Sequence, residues 1–155
     1  MLSPHTPALD RLLGRHRDRF ADEIWGRDVV LASRSERGAS DDFADLFSAD
    51  AVDELIADRA LRTPFLRVAR EGSTLAESAF TSGAGVGAGV GDQASDDKLR
   101  RLFAEGATLV LQGLHRTWPP LLAFSQQLAA DLEHPVQVNA YITPPQTQGF
   151  SHHYD

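Results

Sequence analysis

The residues best suited to chemistry stand in the last stretch of the sequence, "QGFSHHYD", which supplies His152, His153, Tyr154 and Asp155. Side chains along an extended strand alternate between two faces, so His153 and Asp155 would share one face and His152 and Tyr154 the other. A histidine nitrogen beside a carboxylate oxygen can chelate a divalent cation. With a histidine from elsewhere, the pair would complete a two-histidine, one-carboxylate set that leaves positions open on Fe(II). His-x-Asp alone is a common chance pattern in surface loops. Whether it indicates a metal site therefore depends on the secondary-structure elements around it.

A strand is predicted just upstream, in "PVQVNAYI" at residues 135–142. Apolar and polar side chains alternate along it, so that one face carries Val136, Val138, Ala140 and Ile142. The opposite face carries Gln137, Asn139 and Tyr141. This polar face has two interpretations: an ordinary half-solvated strand surface, or the wall of a cavity beside a metal.

The rest of the chain is predicted to mix helices and strands. Apolar spacings of three and four predict four helices, at residues 9–24, 48–57, 95–106 and 118–133. Two short strands are predicted in addition to the one described above, at residues 64–69 and 107–113. The segment "GAGVGA" at residues 83–88 fits a Gly-x-Gly-x-x-Gly/Ala pattern, but no strand leads into it and no helix follows, so we interpret it as a flexible linker.

Composition narrows the possible functions. The chain has 155 residues, 42% of them hydrophobic and 24% charged, which suits one globular domain. Its formal charge of −7 argues against direct nucleic-acid binding and is compatible with a basic protein partner. It has no cysteine, which excludes disulfides, thiol nucleophiles and thiolate zinc sites. No apolar run approaches the length of a membrane span and no signal peptide is recognisable, so a cytoplasmic location is expected.

The C-terminal third of the sequence resembles a known family. The stretch running from "LHRTWPP" through "PVQVNAYITPP" and "QGF" to "HYD" is similar to the front of the catalytic core in cupin-like, JmjC-type Fe(II)/2-oxoglutarate-dependent oxygenases, specifically the ribosomal oxygenase branch. The resemblance extends from about residue 64 to the end, and more loosely over the N-terminal helices. "NAYITPP" followed by "QGF" and "HYD" is its specific part.

The resemblance implies a site, a fold and an activity. His153 and Asp155 would be the first two iron ligands, and Asn139 and Tyr141 would help to hold the co-substrate 2-oxoglutarate. The family fold is a double-stranded β-helix, a jelly-roll barrel framed by N-terminal helices. Family members couple the decarboxylation of 2-oxoglutarate to hydroxylation of a side chain in a protein, here a ribosomal protein, and full-length members are homodimers.

The sequence departs from the family because the second histidine ligand and the basic partner of 2-oxoglutarate are expected downstream of Asp155. We therefore expect an N-terminal helical region at residues 1–62 and a truncated start of a catalytic domain at residues 63–155. The expected α+β fold holds the first strands of a jelly roll whose barrel is incomplete, in a fragment inactive by itself. Two alternatives stay open: a non-catalytic cupin-like module that binds proteins, and a short His-rich protein that binds zinc or nickel.

Overall fold

The structure of the chain, a computed structural model, describes residues 6–38, 43–83 and 91–150. Its packing divides the chain into two compact units. The helical unit comprises the described residues of Met1–Ser48 and His115–Gln137, and the sheet unit those of Ala49–Leu114 and Val138–Asp155. The predicted boundary between residues 62 and 63 falls inside the sheet unit.

The helical unit is built on two segments that are distant in sequence. The first runs through helix α1 (Pro7–Leu13), a 3-10 turn (Gly14–His16), helix α2 (Arg17–Arg19) and a π turn (Phe20–Ile24). The second contains helix α6 (Pro119–Leu132), which follows the short helix α5 (Leu114–Thr117). Both α1 and α6 begin with a proline, which a first helical turn tolerates because its N–H groups have no intrahelical acceptor. The predicted helices at 9–24 and 118–133 are thus confirmed, the first with irregular turns.

Apolar side chains of the first segment and of α6 form the core of the helical unit. The buried residues of this core come from the first segment, namely Leu9, Leu13, Phe20 and Ile24. Leu128 and Leu132 of α6 pack against them. The three- and four-residue spacing of the first set therefore reflects one buried face.

A buried carboxylate joins the same two helices. Asp131, near the end of α6, is 3% exposed, and its Oδ2 accepts hydrogen bonds from the backbone N–H groups of Ala8 and Leu9, both at 2.9 Å. Gln127 Nε2 donates to Oδ1 of the same carboxylate at 2.8 Å. The first N–H groups of a helix have no partner within it, so α6 supplies the cap that the N-terminus of α1 lacks.

The sheet unit surrounds a four-stranded antiparallel sheet. The strands are β1 (Leu66–Arg70), β2 (Ser73–Thr74), β3 (Thr108–Leu111) and β4 (Ala140–Ile142), in the order β2-β1-β3-β4. Helices α3 (Ala49–Asp53), continued by a π turn (Glu54–Asp58), and α4 (Asp96–Ala104) belong to this unit, together with a 3-10 turn (Glu77–Ala79). The sheet is open and antiparallel, and it occurs together with helices. The structure therefore shows an α+β fold, as predicted.

Local sequence explains how the central strands are arranged. Glu71 and Gly72 both have positive φ, at 51° and 77°, which is the geometry of a tight hairpin turn between β1 and β2. Strand β3 is buried along its whole length and pairs with β1 and β4 on either side, through Leu66↔Leu111 and Leu111↔Ala140. A central strand covered on both faces is mostly apolar, as Leu109, Val110 and Leu111 are; the one polar residue of β3, Thr108, has a hydrogen-bond partner for its hydroxyl.

The predicted strand at 135–142 is shorter than expected. Only its last three residues, Ala140–Ile142, form a ladder with β3. Pro135 has no N–H to donate, and at Asn139 a side-chain bond replaces the ladder bond. The predicted alternation does appear, because residues 136, 138, 140 and 142 are partly buried while 137, 139 and 141 are exposed.

Two further segments are the start of α4 and the glycine-rich stretch. Ser95 occupies the position before α4, but its side chain makes no capping hydrogen bond. Residues 84–90 of the glycine-rich segment lie outside the described residues. Within the described ranges, no helix has the length and apolarity that a membrane span requires.

Candidate functional site

The described part of the candidate site lies at and around β4. His153 and Asp155, the candidate metal ligands, lie outside the described residues, as does His152. Asn139 directly precedes β4 and Tyr141 is its central residue. Residues two apart on an extended strand share a face and are separated by about 6.5–7 Å along it, so these two side chains belong to one surface.

Asn139 is fixed by a hydrogen bond to the neighbouring chain segment. Its Oδ1 accepts from the backbone N–H of Gly113 at 3.0 Å, and the Leu114 N–H donates to the Val138 carbonyl at 2.9 Å. A side chain at Gly113 would meet the Phe65 ring, because a Cβ built there lies 3.2 Å from Phe65 Cδ1. Oδ1 of Asn139 is thus engaged as an acceptor, and Nδ2 is the hydrogen-bond donor of this side chain.

Tyr141 presents an exposed phenol beside a second aromatic ring. It pairs in register with Val110 of β3, which is 1% exposed, whereas Tyr141 itself is 45% exposed. The ring of Phe150 stands edge-on to that of Tyr141, with 5.8 Å between their centroids. Phe150 therefore returns to the face from which the chain departed nine residues earlier.

The returning segment, residues 143–150, makes a hydrogen bond to the sheet and is involved in two close approaches at glycines. Thr143 Oγ1 and Thr108 Oγ1 lie 3.0 Å apart in a hydrogen bond. A Cβ built at Gly149 would lie 3.0 Å from each of these hydroxyl oxygens. Thr147 approaches Gly106 at the end of α4, where a built Cβ would lie 3.0 Å from the threonine methyl group. The sequence did not predict these contacts.

A polar groove borders the outer side of this segment. It is lined by the hairpin turn, the end of α4 and the returning chain, through Arg70, Glu71, Gly72, Ser73, Glu105, Gly106, Thr147 and Gln148. Arg70 Nη2 donates to Glu105 Oε2 at 2.7 Å across it. The residues that line the groove thus include an arginine–glutamate pair and no histidine, unlike the candidate metal ligands.

No complete metal site is formed by the described residues alone. Across residues 6–38, 43–83 and 91–150, no three histidine, cysteine, aspartate or glutamate side chains come together as a possible site. The described structure therefore supplies the polar strand face and the returning chain, while both candidate ligands follow at residues 153 and 155.

Comparison with models of known protein families found no match, and comparison with curated proteins found none either.

Proposed function

We propose that this chain carries the first part of the catalytic region of an Fe(II)/2-oxoglutarate-dependent protein hydroxylase of the ribosomal oxygenase type. The observation that carries the proposal is the return of residues 143–150 to the Asn139–Tyr141 face, with Phe150 against Tyr141. A chain spans at most about 3.6 Å per residue, so the Cα of residue 153 lies within about 11 Å of the Cα of Phe150. The candidate ligands therefore follow Phe150 by three and five residues along the chain, and Phe150 contacts the face that the resemblance assigns to the co-substrate.

The donor types fit the groups that the proposal requires. His153 and Asp155 would hold Fe(II), which prefers an imidazole and carboxylate set with open positions. Bound iron would supply the oxidising chemistry, with 2-oxoglutarate as the co-substrate. The Asn139 Nδ2 group and the exposed Tyr141 hydroxyl would donate hydrogen bonds to a 2-oxoglutarate carboxylate, and the Gly113 contact would keep the asparagine in place.

The same proposal covers the fold and the partners. The antiparallel strands β1, β3 and β4 would be the first strands of a jelly roll, whose remaining strands would come from further chain. The protein substrate would be basic, as ribosomal proteins are, which suits the formal charge of −7. A cytoplasmic location and a homodimeric full-length protein are part of the proposal through the resemblance.

Manganese-induced line broadening tests the metal site directly, because Mn²⁺ binds the same ligand types as Fe(II) and does not require turnover. We expect Mn²⁺ to broaden the NMR signals of Tyr141 and Phe150 in the unaltered chain. His153→Ala and Asp155→Ala should each remove this broadening, since both ligands are needed to chelate the ion.

His152→Ala is the matched control, because strand alternation places residue 152 on the other face. It should leave the broadening unchanged. Equal loss in all three variants would contradict the proposed ligand pair and favour a short metal-binding tail that uses both histidines. Absence of broadening in the unaltered chain would contradict the metal site altogether.

A further inference from the structure

The loop at residues 33–38 lies directly against the backbone of the 3-10 turn in the helical unit. Arg15 donates its backbone N–H to the Glu36 carbonyl at 3.2 Å. A Cβ built at Gly14 would collide with the Cα of Arg37 and lie 2.6 Å from the Glu36 carbonyl oxygen. Gly14 also has a φ of 51°, a left-handed value that glycine adopts without steric cost. The loop therefore docks where a glycine lets the two backbones approach each other.

The carboxylate of Glu36 joins the loop to itself and to the helical segment. Its Oε2 accepts hydrogen bonds from the backbone N–H and the hydroxyl of Ser33, both at 2.9 Å. Its Oε1 pairs with the Arg15 guanidinium and lies 3.8 Å from Nε2 of His16. The side chains of His16 and Glu36 are 20% and 22% exposed, so their charges would be screened less than those of surface groups.

Nε2 of His16 is an unsatisfied polar atom at this contact. It is buried and has no hydrogen-bond partner among the described residues. A neutral imidazole carries one N–H and one acceptor nitrogen, whereas a protonated imidazole donates from both nitrogens. Only the protonated form would bring a positive charge and a certain donor to the Glu36 carboxylate, and charge-assisted hydrogen bonds are stronger than neutral ones. The contact is thus suited to the protonated form of His16.

Neighbouring charged residues are engaged elsewhere or exposed. The guanidinium of Arg37 lies over the Phe43 ring, 4.2 Å from its centroid, and Arg17 Nε pairs with Asp10 Oδ1 at 3.0 Å. Two further charged side chains are exposed, namely Asp18 and Arg34. Carboxylates and guanidiniums ordinarily keep their charge between pH 5 and pH 8, whereas an imidazole changes its charge in this range. Among the described groups at this contact, His16 is therefore the one whose charge changes near neutral pH.

We propose that His16 and Glu36 form a proton-dependent clasp, in which uptake of a proton by His16 tightens the docking of the 33–38 loop on Gly14. The docking should be strongest where both side chains are charged, at about pH 5–6. Glu36 keeps its charge there because the backbone N–H and then the hydroxyl of Ser33 hold the pKa of its carboxyl below the usual value of 4.5. This inference is independent of the proposed metal site.

The clasp also fixes one end of an exposed apolar segment. The 33–38 loop directly follows residues 28–32, of which Val30 packs on the core of the helical unit. Val29 and Leu31, on either side of it, are 90% and 83% exposed. Loss of the proton from His16 would therefore loosen the attachment of a segment that presents large apolar side chains to solvent.

Hydrogen exchange at the Arg15 amide measures the docking, because this N–H donates to the Glu36 carbonyl of the loop. The quantity compared is the protection factor, which corrects for the intrinsic pH dependence of exchange, at about pH 5.5 and about pH 7.5. We expect it to be about twofold to fivefold larger at the lower pH, as for a partly exposed ion pair. The change should follow the titration of the His16 ring signals in NMR spectra.

Two variants remove the clasp from its two sides. His16→Gln keeps a polar side chain that cannot take up a proton, so its protection factors should be equal at the two pH values. Glu36→Gln keeps an oxygen for the Ser33 bonds but removes the negative charge, and it should give the same result with His16 in place. His134→Gln is the matched control, because this histidine lies in the same unit and its ring contacts Trp25. It should retain the full difference.

Each outcome decides for or against the clasp. Equal protection factors at the two pH values in the unaltered chain would overturn it. A difference that persists in His16→Gln or in Glu36→Gln would also overturn it, because another group would then be titrating. If His16→Gln does not fold, Glu36→Gln decides by itself, since its His16 is intact. Loss of the difference in His134→Gln would assign the effect to the other histidine and contradict the proposal.

Discussion

The helical unit and the sheet unit secure their distant segments with different polar groups. In the helical unit, the buried carboxylate of Asp131 holds the N-terminus of α1 through two backbone N–H groups. Around β4 in the sheet unit, the corresponding bonds are made by neutral groups: the Asn139 amide on Gly113 and the Thr108–Thr143 hydroxyl pair. Hydrogen bonds to a buried charge contribute more than neutral ones, typically about 1.5–3 against about 0.5–1.5 kcal/mol.

This difference suggests a division of roles between the units. A charged cap inside the helical unit acts on stability, whereas the neutral bonds of the sheet unit lie where the candidate site is built. Substitutions of the first kind should lower the free energy of unfolding, and those of the second kind should alter the candidate site while costing less stability.

The sequence provides a separate optical probe for the helical unit. The chain has two tryptophans, Trp25 and Trp118, and both belong to this unit. Trp25 contacts the Phe20 ring at a centroid distance of 5.2 Å, and Trp118 Nε1 donates to the Leu46 carbonyl at 2.9 Å. Tryptophan fluorescence therefore reports on the helical unit, while the NMR signals of Tyr141 report on the sheet unit.

The largest expected effect concerns activity. Under the proposed function, His153 and Asp155 would be two of three iron ligands. The resemblance implies that the third ligand and the cationic partner of the distal 2-oxoglutarate carboxylate, a contact worth about 1.5–3 kcal/mol, are downstream residues that do not match this sequence. We expect no succinate above a control without protein when iron, ascorbate and 2-oxoglutarate are supplied. Measurable succinate would show that this chain completes its site from within.

The next effect tests the charged cap. Asp131→Ala should lower the free energy of unfolding by about 2–3 kcal/mol, because it leaves the N–H groups of Ala8 and Leu9 buried without an acceptor. Urea denaturation followed by tryptophan fluorescence measures it. Asp131→Asn keeps an acceptor oxygen and should cost about 1 kcal/mol. A loss below that value for Asp131→Ala would mean that water replaces the carboxylate.

A smaller effect is expected at Asn139, where stability and binding can be separated. Asn139→Ala leaves the Gly113 N–H without its acceptor and should cost about 1 kcal/mol in the sheet unit. Asn139→Asp retains the acceptor, so it should be nearly as stable as the unaltered chain. It replaces the Nδ2 donor by a negative charge, however, and should repel 2-oxoglutarate.

Chemical-shift changes on addition of 2-oxoglutarate, read at Tyr141, test the second half of that prediction. The unaltered chain should respond, and Asn139→Asp should not. Equal chemical-shift changes in the unaltered chain and in Asn139→Asp would show that Asn139 only accepts the Gly113 hydrogen bond and does not bind 2-oxoglutarate. A response in neither would remove the Asn139–Tyr141 face from the proposed co-substrate site.

The parts of the molecule that sequence predicted are those governed by neighbours along the chain. The spacing of Leu9, Leu13 and Phe20 located the first helix, and the alternation along residues 135–142 identified the exposed face of Asn139 and Tyr141. Both patterns express burial on one side of a regular element.

The contacts that were missed join residues far apart in sequence. Asp131 caps a helix more than 120 residues away, and Thr108 and Thr143 are 35 residues apart. The local sequence around an aspartate in a helix, or around a threonine at a strand end, does not identify a distant hydrogen-bond partner. The close approach of Gly149 to the Thr108 and Thr143 hydroxyl groups likewise has no signal in the residues around it.

The smallest expected effect is a pH dependence at Glu36, in the loop that follows the first helical segment. Glu36 Oε2 accepts from the Ser33 backbone N–H and from the Ser33 hydroxyl, both at 2.9 Å, and Oε1 contacts Arg15. The Ser33 backbone bond, then its hydroxyl, and to a lesser degree the positive charges of Arg15 and His16, hold the pKa of this carboxyl below its usual value of 4.5.

A folded pKa below the unfolded one gives stability that is fully present above about pH 4.5 and is lost as the pH falls through the folded value. Glu36→Gln should therefore be slightly less stable than the unaltered chain at about pH 7 and equally stable below both pKa values. Urea midpoints from tryptophan fluorescence at the two pH values measure this, with the exposed Glu71→Gln as the charge-matched control. A difference that persists undiminished in acid would mean that Glu36 acts through packing and not through its charge.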